Sequence, residues 1–276
     1  MTGATTCVFT TGDLRSRGWT RSAIESAVRS GRLVRVRRGV FASAGAPPEM
    51  THAAALGGRL ACVSLLRLLG VFVLDDRRLH CHMPPNAARL PPRRAHEIAH
   101  WRDLTRAAPG SHAVALRDAI LQSVLCQSPR ATVATLDNLL HLGLVDMEEL
   151  QEIFAELPAR CRILLRLVDG RAESGSETFV RLILRSLDCT AELQVRIEDV
   201  GRVDFVVDGW LIIECDSRAH HGGWEQQVRD RARDLEAAAR GYVTVRVIAA
   251  DAFERPEWLR LQFQRILAHG SRMAAA

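Results

Sequence analysis

Residues 201–223 read GRVDFVVDGWLIIECDSRAHHGG, and residues 224–247 continue WEQQVRDRARDLEAAARGYVTVRV. Two apolar, strand-like runs in this stretch carry acids where a core strand should not. Asp204 sits just inside the first run, Glu214 and Asp216 end the second, and His220 and His221 follow. A lone buried carboxylate is costly unless something pairs with it. Three carboxylates on one sheet edge, beside an imidazole, therefore point to a shared divalent cation. Oxygen ligands of this kind suit Mg²⁺ or Mn²⁺, and metal-activated water attacking a phosphodiester is the chemistry they best support. Glu214 and Asp216 are two apart on a strand, so both project to one face. Asp204 falls opposite Glu214 if Asp208, Gly209 and Trp210 form a three-residue hairpin loop. Glu177, in the first turn of the preceding helix, approaches from above. The expected metal ligands are Glu177, Asp204 and Glu214.

Working outward, SGSETFVRLILRSL is a helix capped by Ser174 or Ser176. AELQVRIED, GRVDFVV and WLIIECD are three strands. WEQQVRDRARDLEAAARG is a long helix ended by Gly241, YVTVRVIA is a fourth strand, and a closing helix spans 255–269. The order α-β-β-β-α-β-α makes a mixed sheet with flanking helices.

That order, with an acid in the first helix, one in the second strand and E-x-acid in the third, resembles the PD-(D/E)xK nuclease superfamily. The branch similar to very-short-patch-repair endonucleases is the closer resemblance, over roughly residues 170–270. Its motifs correspond here to Gly201 to Asp204, to Glu214, Cys215, Asp216 and Ser217, to His221, and to Asp230, Arg231, Ala232, Arg233 and Asp234. The resemblance implies a metal-dependent DNA endonuclease with Asp204, Glu214, Asp216 and His221 as catalytic residues. The superfamily often has a lysine two residues after the second acid. Asp216 stands there instead, and the chain contains no lysine at all. Catalysis would then lean on the metal and on His221 as general base or transition-state donor. Asp230, Arg233 and Asp234 on the following helix would orient His221 or contact phosphate. Ser217 replaces the family's usual glycine, and His220 aligns where an aromatic is common. Structural ion pairing of the acids with Arg181, Arg202 and Arg233 is the competing reading.

Charge singles out the other end of the chain. All 37 basic residues are arginine. Residues 1–50 hold eight of them against Asp13, Glu25 and Glu49, while the other 226 residues balance, so the net charge of +5 belongs to the N-terminal segment. A basic module on a neutral body suggests a polyanionic partner, most often nucleic acid. Thr11 opens a short helix through Leu14. Thr20 caps a second helix, RSAIESAVRS, which Gly31 stops. Ala23, Ile24, Ala27 and Val28 form its apolar stripe, with Arg21 and Arg29 off it. RLVRVRRGVFA then reads as two short strands around a basic hairpin of Arg37, Arg38 and Gly39. This is a winged helix, and Arg21, Arg29, Arg35, Arg37 and Arg38 are its expected DNA contacts. The unit resembles the winged-helix domain of AbiEi-type antitoxins. That resemblance implies a non-catalytic regulator or antitoxin, with a cognate toxin as partner, as the alternative to a nuclease with a repair partner.

Between the two lies a linker, Gly45-Ala46-Pro47-Pro48, and a mostly helical middle region. Residues 50–70 read as helical, 79–83 and 97–101 as strands, and 112–169 as several helices. His80 and His82 would share a strand face, but no second ligand pair is spaced to complete a zinc site, so they read as surface histidines. His141, in an apolar helix, reads as structural. The seven cysteines are scattered without CxxC spacing, as free thiols in a reducing cytoplasm are. Neither a signal peptide nor a membrane-spanning run is seen. The expected fold class is thus α+β. A winged helix covers 1–48, the helical region 49–169, and a restriction-endonuclease-like domain 170–276, which holds a complete sheet and should fold alone.

Overall fold

The computed structural model describes residues 7–85, 90, 92–104, 112–216 and 224–274. The chain divides into two compact units, one of residues 1–128 with 152–158 and one of 129–151 with 159–276.

The first unit opens with Val8–Thr10 (β1), Thr11–Ser16 (α1), Arg21–Arg29 (α2), Leu33–Arg37 (β2) and Val40–Ser43 (β3). Thr11 opens α1 as expected and Thr10 caps it, in a reciprocal box with Asp13; Thr20 caps α2 by accepting the Ala23 N–H. β3 is the central strand, antiparallel to both neighbours in the order β1-β3-β2. A central strand is covered on both sides, and alternation sends its side chains both ways. Phe41 joins Leu14, Ile24, Ala27 and Leu33 beneath the two helices. Val40 and Ala42 join Val8 and Ala54 on the other side. Ala54 belongs to Pro48–Ala55 (α3), so the winged helix rests on the start of the middle region. The winged-helix expectation holds; β1, a third strand, was not foreseen.

Residues 50–70 are not one helical run. Arg59–Leu60 (β4) separates α3 from Cys62–Leu68 (α4). Gly57 has φ +87°, and a Cβ on Gly58 would lie 2.8 Å from the His82 carbonyl oxygen and 2.7 Å from the Met83 sulfur. The chain turns there so that backbone can lie against backbone. β4 pairs antiparallel with Leu79–His82 (β5), which pairs parallel with Glu97–His100 (β6). The expected strands are present, and so the middle region contains a sheet. His80 and His82 are not surface residues: they are 6% and 4% exposed, because Leu116–Cys126 (α5) and α4 cover that side of the unit.

The second unit contains Pro129–His141 (α6), the start of Met147–Ala155 (α7), a 3-10 helix Ala159–Leu167, and Gly175–Leu184 (α8). His141 closes α6 at the surface. Then come Ala191–Ile197 (β7), Gly201–Val207 (β8), Leu211–Asp216 (β9), Trp224–Ala239 (α9), Val243–Ile248 (β10), Ala249–Glu254 (α10) and Pro256–Ala274 (α11). The sheet order is β10-β9-β8-β7. β7, β8 and β9 form an antiparallel meander, while β10 returns parallel to β9 after the α9 crossover, the connection a parallel pair requires. Residues 208–210 form the expected three-residue turn between β8 and β9. Ala237 of α9 joins Ile197, Val200, Val203, Val206 and Ile212 in one cluster.

α6 is bound to α8 by a buried polar network. Asp137 Oδ2 accepts from Arg181 Nη2 at 2.7 Å and Thr178 Oγ1 at 2.8 Å, and Oδ1 accepts the Asp169 N–H at 2.7 Å. Arg181 also donates to the Leu167 carbonyl. Arg181 therefore serves this network, away from the acids of the sheet edge. Among the described residues no helix is long and apolar enough to cross a membrane.

Candidate functional site

Two sites emerge, one in each unit. In the winged helix the five expected arginines, Arg21, Arg29, Arg35, Arg37 and Arg38, are all exposed. Arg21, Glu25 and Arg29 lie one turn apart along α2, and Arg21 Nε donates to Glu25 at 2.9 Å. The Arg35 guanidinium carbon lies 5.5 Å over the Phe41 ring, a cation–π contact that orients the head group while the residue stays exposed. Arg37 ends β2 and Arg38 sits in the turn. Arg15, Arg17 and Arg32, which helix and strand patterning did not single out, are exposed in the same module.

In the second unit the acids gather where β8 and β9 part. Their ladder runs Val207↔Leu211, Val206↔Ile212 and Phe205↔Ile213. At the next step Asp204 Oδ2 accepts the Cys215 N–H at 2.8 Å, a side chain taking the place of a ladder carbonyl. Ser174 caps α8 through the Glu177 N–H, fixing Glu177 in the first turn. Glu177 Oε2 accepts from the Glu173 N–H at 2.9 Å and from Gln194 Nε2 at 2.8 Å. Burial pushes the Glu177 carboxyl above its usual range, opposed by the Glu173 amide and reinforced by Asp204. Burial also raises Asp204, opposed by the Cys215 amide and reinforced by Glu173. Glu214 is pushed up to about 7, by burial first and by the Asp204 charge second; Arg233 counters this.

These oxygens are coupled but do not close a coordination sphere: the carboxylate groups are not all within 4.8 Å of one another. Arg233 Nη2 donates to Glu214 at 3.3 Å and to the Arg202 carbonyl at 2.8 Å, while its Nε donates to the Val200 carbonyl at 2.8 Å. The paired-acid reading therefore holds for Glu214. It does not hold for Arg202, which takes Glu173 at 2.8 Å. Asp216, at the exposed end of β9, lies 3.8 Å from Arg246. Asp234 also pairs with Arg246, at 2.7 Å, and Asp230 is half-buried on the same helix. His221, with His220 and Ser217, lies outside the described residues.

Sequence patterns did not reveal Gln194 or Arg246. Gln194 sits within β7 at φ +54°, an uncommon conformation for a side-chain-bearing residue, and its buried Oε1 has no hydrogen-bond partner. Backbone strain with an orphaned carbonyl beside carboxylates is a pattern found at functional sites. Arg246 lies opposite Glu214 in the parallel β9/β10 register. Only that register could have identified it.

The Glu214 shift has a consequence for stability. The folded chain holds this proton more tightly than the unfolded one, so its contribution is complete below the ordinary value of 4.5 and is lost as pH rises through about 7. The thermal midpoint should fall between about pH 5 and about pH 8, and Glu214→Gln should flatten that fall. A variant with the parent's pH profile would show that Glu214 does not titrate in this range.

Residues 8–44 match the family described as "Transcriptional regulator, AbiEi antitoxin". The uncharacterized protein Rv2248 of Mycobacterium tuberculosis strain H37Rv is 30% identical over 267 residues, spanning 90% of this chain and 97% of its own length. The uncharacterized protein MT2308 of strain CDC 1551 gives the same values. The crystal structure of the RV2827C protein of M. tuberculosis aligns with 63% of this chain and 76% of its own at 23% identity, with a TM-score of 0.31.

Proposed function

Because the chain belongs to the same family as the mycobacterial protein Rv2248, and its first module is an AbiEi-like antitoxin domain, we propose that it is a DNA-binding transcriptional regulator of the antitoxin class. The observation that carries this reading is the exposed arginine set on α2 and the β2–β3 hairpin. α2 would read the major groove, and Arg35, Arg37 and Arg38 would hold the adjacent backbone. A regulator of this class acts on its own upstream DNA and has a cognate toxin as partner. The test is binding of the full chain to that DNA across a range of salt. Arg37→Glu with Arg38→Glu should weaken binding by about 10–100-fold and lower the salt slope by about two units, since each lost phosphate contact removes about one. Unchanged affinity and slope would assign the basic segment to another kind of partner.

The acids at the parting of β8 and β9 favour a second reading, a metal-dependent DNA endonuclease that the winged helix delivers. Oxygen donors raised by burial and mutual repulsion, beside an orphaned amide oxygen, fit a hard divalent cation by donor chemistry. Glu177, Asp204 and Glu214 would hold Mg²⁺ or Mn²⁺. Such a cation supplies positive charge at a phosphodiester and an acidified water. The chain's own residues divide the remaining work. Arg233 and Arg246 would neutralise phosphate, Asp234 and Asp216 would fix Arg246, and Gln194 would orient Glu177. The general base proposed from sequence is His221. In this reading the partner is a repair system.

A further inference from the structure

The first unit contains a cluster that neither reading uses. Cys62, His80, His100 and Cys126 each offer a ligand atom, all within 4.8 Å of one another, and no other group of three or more such residues lies so close among the described residues. They come from four separate elements: the start of α4, the middle of β5, the end of β6 and the end of α5. His80 Nδ1 lies 3.1 Å from His100 Nε2 and 3.7 Å from Cys126 Sγ. The imidazoles stack with centroids 5.3 Å apart.

Hydrogen bonds link Cys126 to both Cys62 and His80, but no single protonation state lets His80 Nδ1 serve both His100 and Cys126. A neutral imidazole nitrogen has one proton or one lone pair. If His80 Nδ1 donates to His100, it cannot also accept the Cys126 thiol proton, which is left to the Cys62 sulfur. If it accepts, two donors compete for one lone pair. A cation removes the conflict, because all four atoms can then turn a lone pair to a common centre. Zn–S distances of about 2.3 Å and Zn–N distances of about 2.0 Å set ligand-to-ligand edges of roughly 3.3–3.8 Å in a tetrahedron. The two measured edges are close to that range, and no separation needs more than about 1 Å of contraction.

Backbone and burial agree. Cys62 has φ +51° although it is not glycine, and it is fully buried. An uncommon conformation at the first residue of a helix is a cost that a ligand role would explain. Cys126 lies at the exposed rim, which leaves a path for metal to enter.

We propose that Cys62, His80, His100 and Cys126 form a tetrahedral Cys2His2 zinc site that ties α4 and α5 to the β5–β6 pair. All four positions are filled by protein, so the site is structural and leaves no position for a reacting water. Two thiolates and two imidazoles select zinc over the oxygen-seeking cations suited to the carboxylate site. It lies in the unit that carries the winged helix and does not depend on either functional reading.

The test uses the full chain, expressed with added zinc and purified under reducing conditions without chelator. Metal analysis should find one zinc per chain. The Co²⁺-substituted chain should show the intense ligand-field bands of tetrahedral coordination, with thiolate charge transfer. Cys126→Ser, at the rim, should lose or greatly weaken zinc binding and diminish the charge-transfer band. Cys161→Ser, in the other unit, and Asp204→Asn should each keep the zinc, separating this metal from any at the carboxylates. Zinc retained at full stoichiometry by a Cys62→Ser and Cys126→Ser double variant would overturn the proposal. So would a folded wild-type chain that binds neither zinc nor Co²⁺, or one recovered from reducing buffer with a Cys62–Cys126 disulfide. If the double variant fails to fold, the Co²⁺ spectrum of the wild type decides.

Discussion

Replacing Asp137 by alanine is expected to cost the second unit about 3–5 kcal/mol. Asp137 is 0% exposed and Arg181 7% exposed. Without the carboxylate, the guanidinium is left as a buried charge with the Leu167 carbonyl as its hydrogen-bond partner and the Asp169 charge as a weaker counterion. Thr178 Oγ1 and the Asp169 N–H lose their short bonds as well. The penalty is the desolvation of orphaned donors, which exceeds the net worth of the intact pair. Burial pushes the Asp137 carboxyl upward, and Arg181 is the main force opposing it. Asp137→Asn keeps an acceptor and should lose less than Asp137→Ala. Urea unfolding of both variants measures the difference. A loss under about 1 kcal/mol for Asp137→Ala would mean that the network is not held as described.

The second large effect concerns chemistry. Asp204 is the acid at which the β8/β9 ladder parts, and its charge raises both Glu177 and Glu214. In the endonuclease reading, Asp204→Ala removes a shared ligand. Cleavage of supercoiled, mismatched, branched or single-stranded DNA with Mg²⁺ or Mn²⁺ should fall by about 10³-fold, equivalent to losing several kcal/mol of charge stabilisation. DNA affinity should stay level or rise slightly, since a carboxylate that repels phosphate is gone. Cleavage at the parent's rate by the variant, or by the parent in EDTA, would remove the endonuclease reading and leave the regulator reading intact. No cleavage by either, with tight binding to upstream DNA, would do the same.

Both modules of the fold were legible in local pattern. Thr20, the Ile24/Ala27 stripe and the arginine-tipped hairpin specify the winged helix within a few residues of one another. The 208–210 turn sets the β8/β9 register, and with it the neighbourhood of Asp204 and Glu214. What escaped was non-local. β1 is three residues long and gains its identity only from β3. The break at Gly57 and Gly58 comes from the approach of β5, more than twenty residues on. Cys62, His80, His100 and Cys126 span 65 residues without a repeated spacing, so only the β5/β6 register and the packing of α4 on α5 bring them together. The same dispersion made His80 look like a surface residue. Arg246 pairs across a parallel register that an α9 crossover delays.

The path of the chain between the units has a consequence for any attempt to take the protein apart. Residues 129–151 belong with the C-terminal sheet, 152–158 return to the first unit, and 159 onward leave it again. Arg117 fastens the returning segment through Glu156 at 2.5 Å and the Glu152 carbonyl at 3.3 Å. No single proteolytic cut can release either unit whole. A fragment starting at residue 170 would contain Arg181 without Asp137. The modules share a chain in the manner of interleaved pages, so the sheet and the helix of residues 129–141 have to be cut, moved or grafted as one piece.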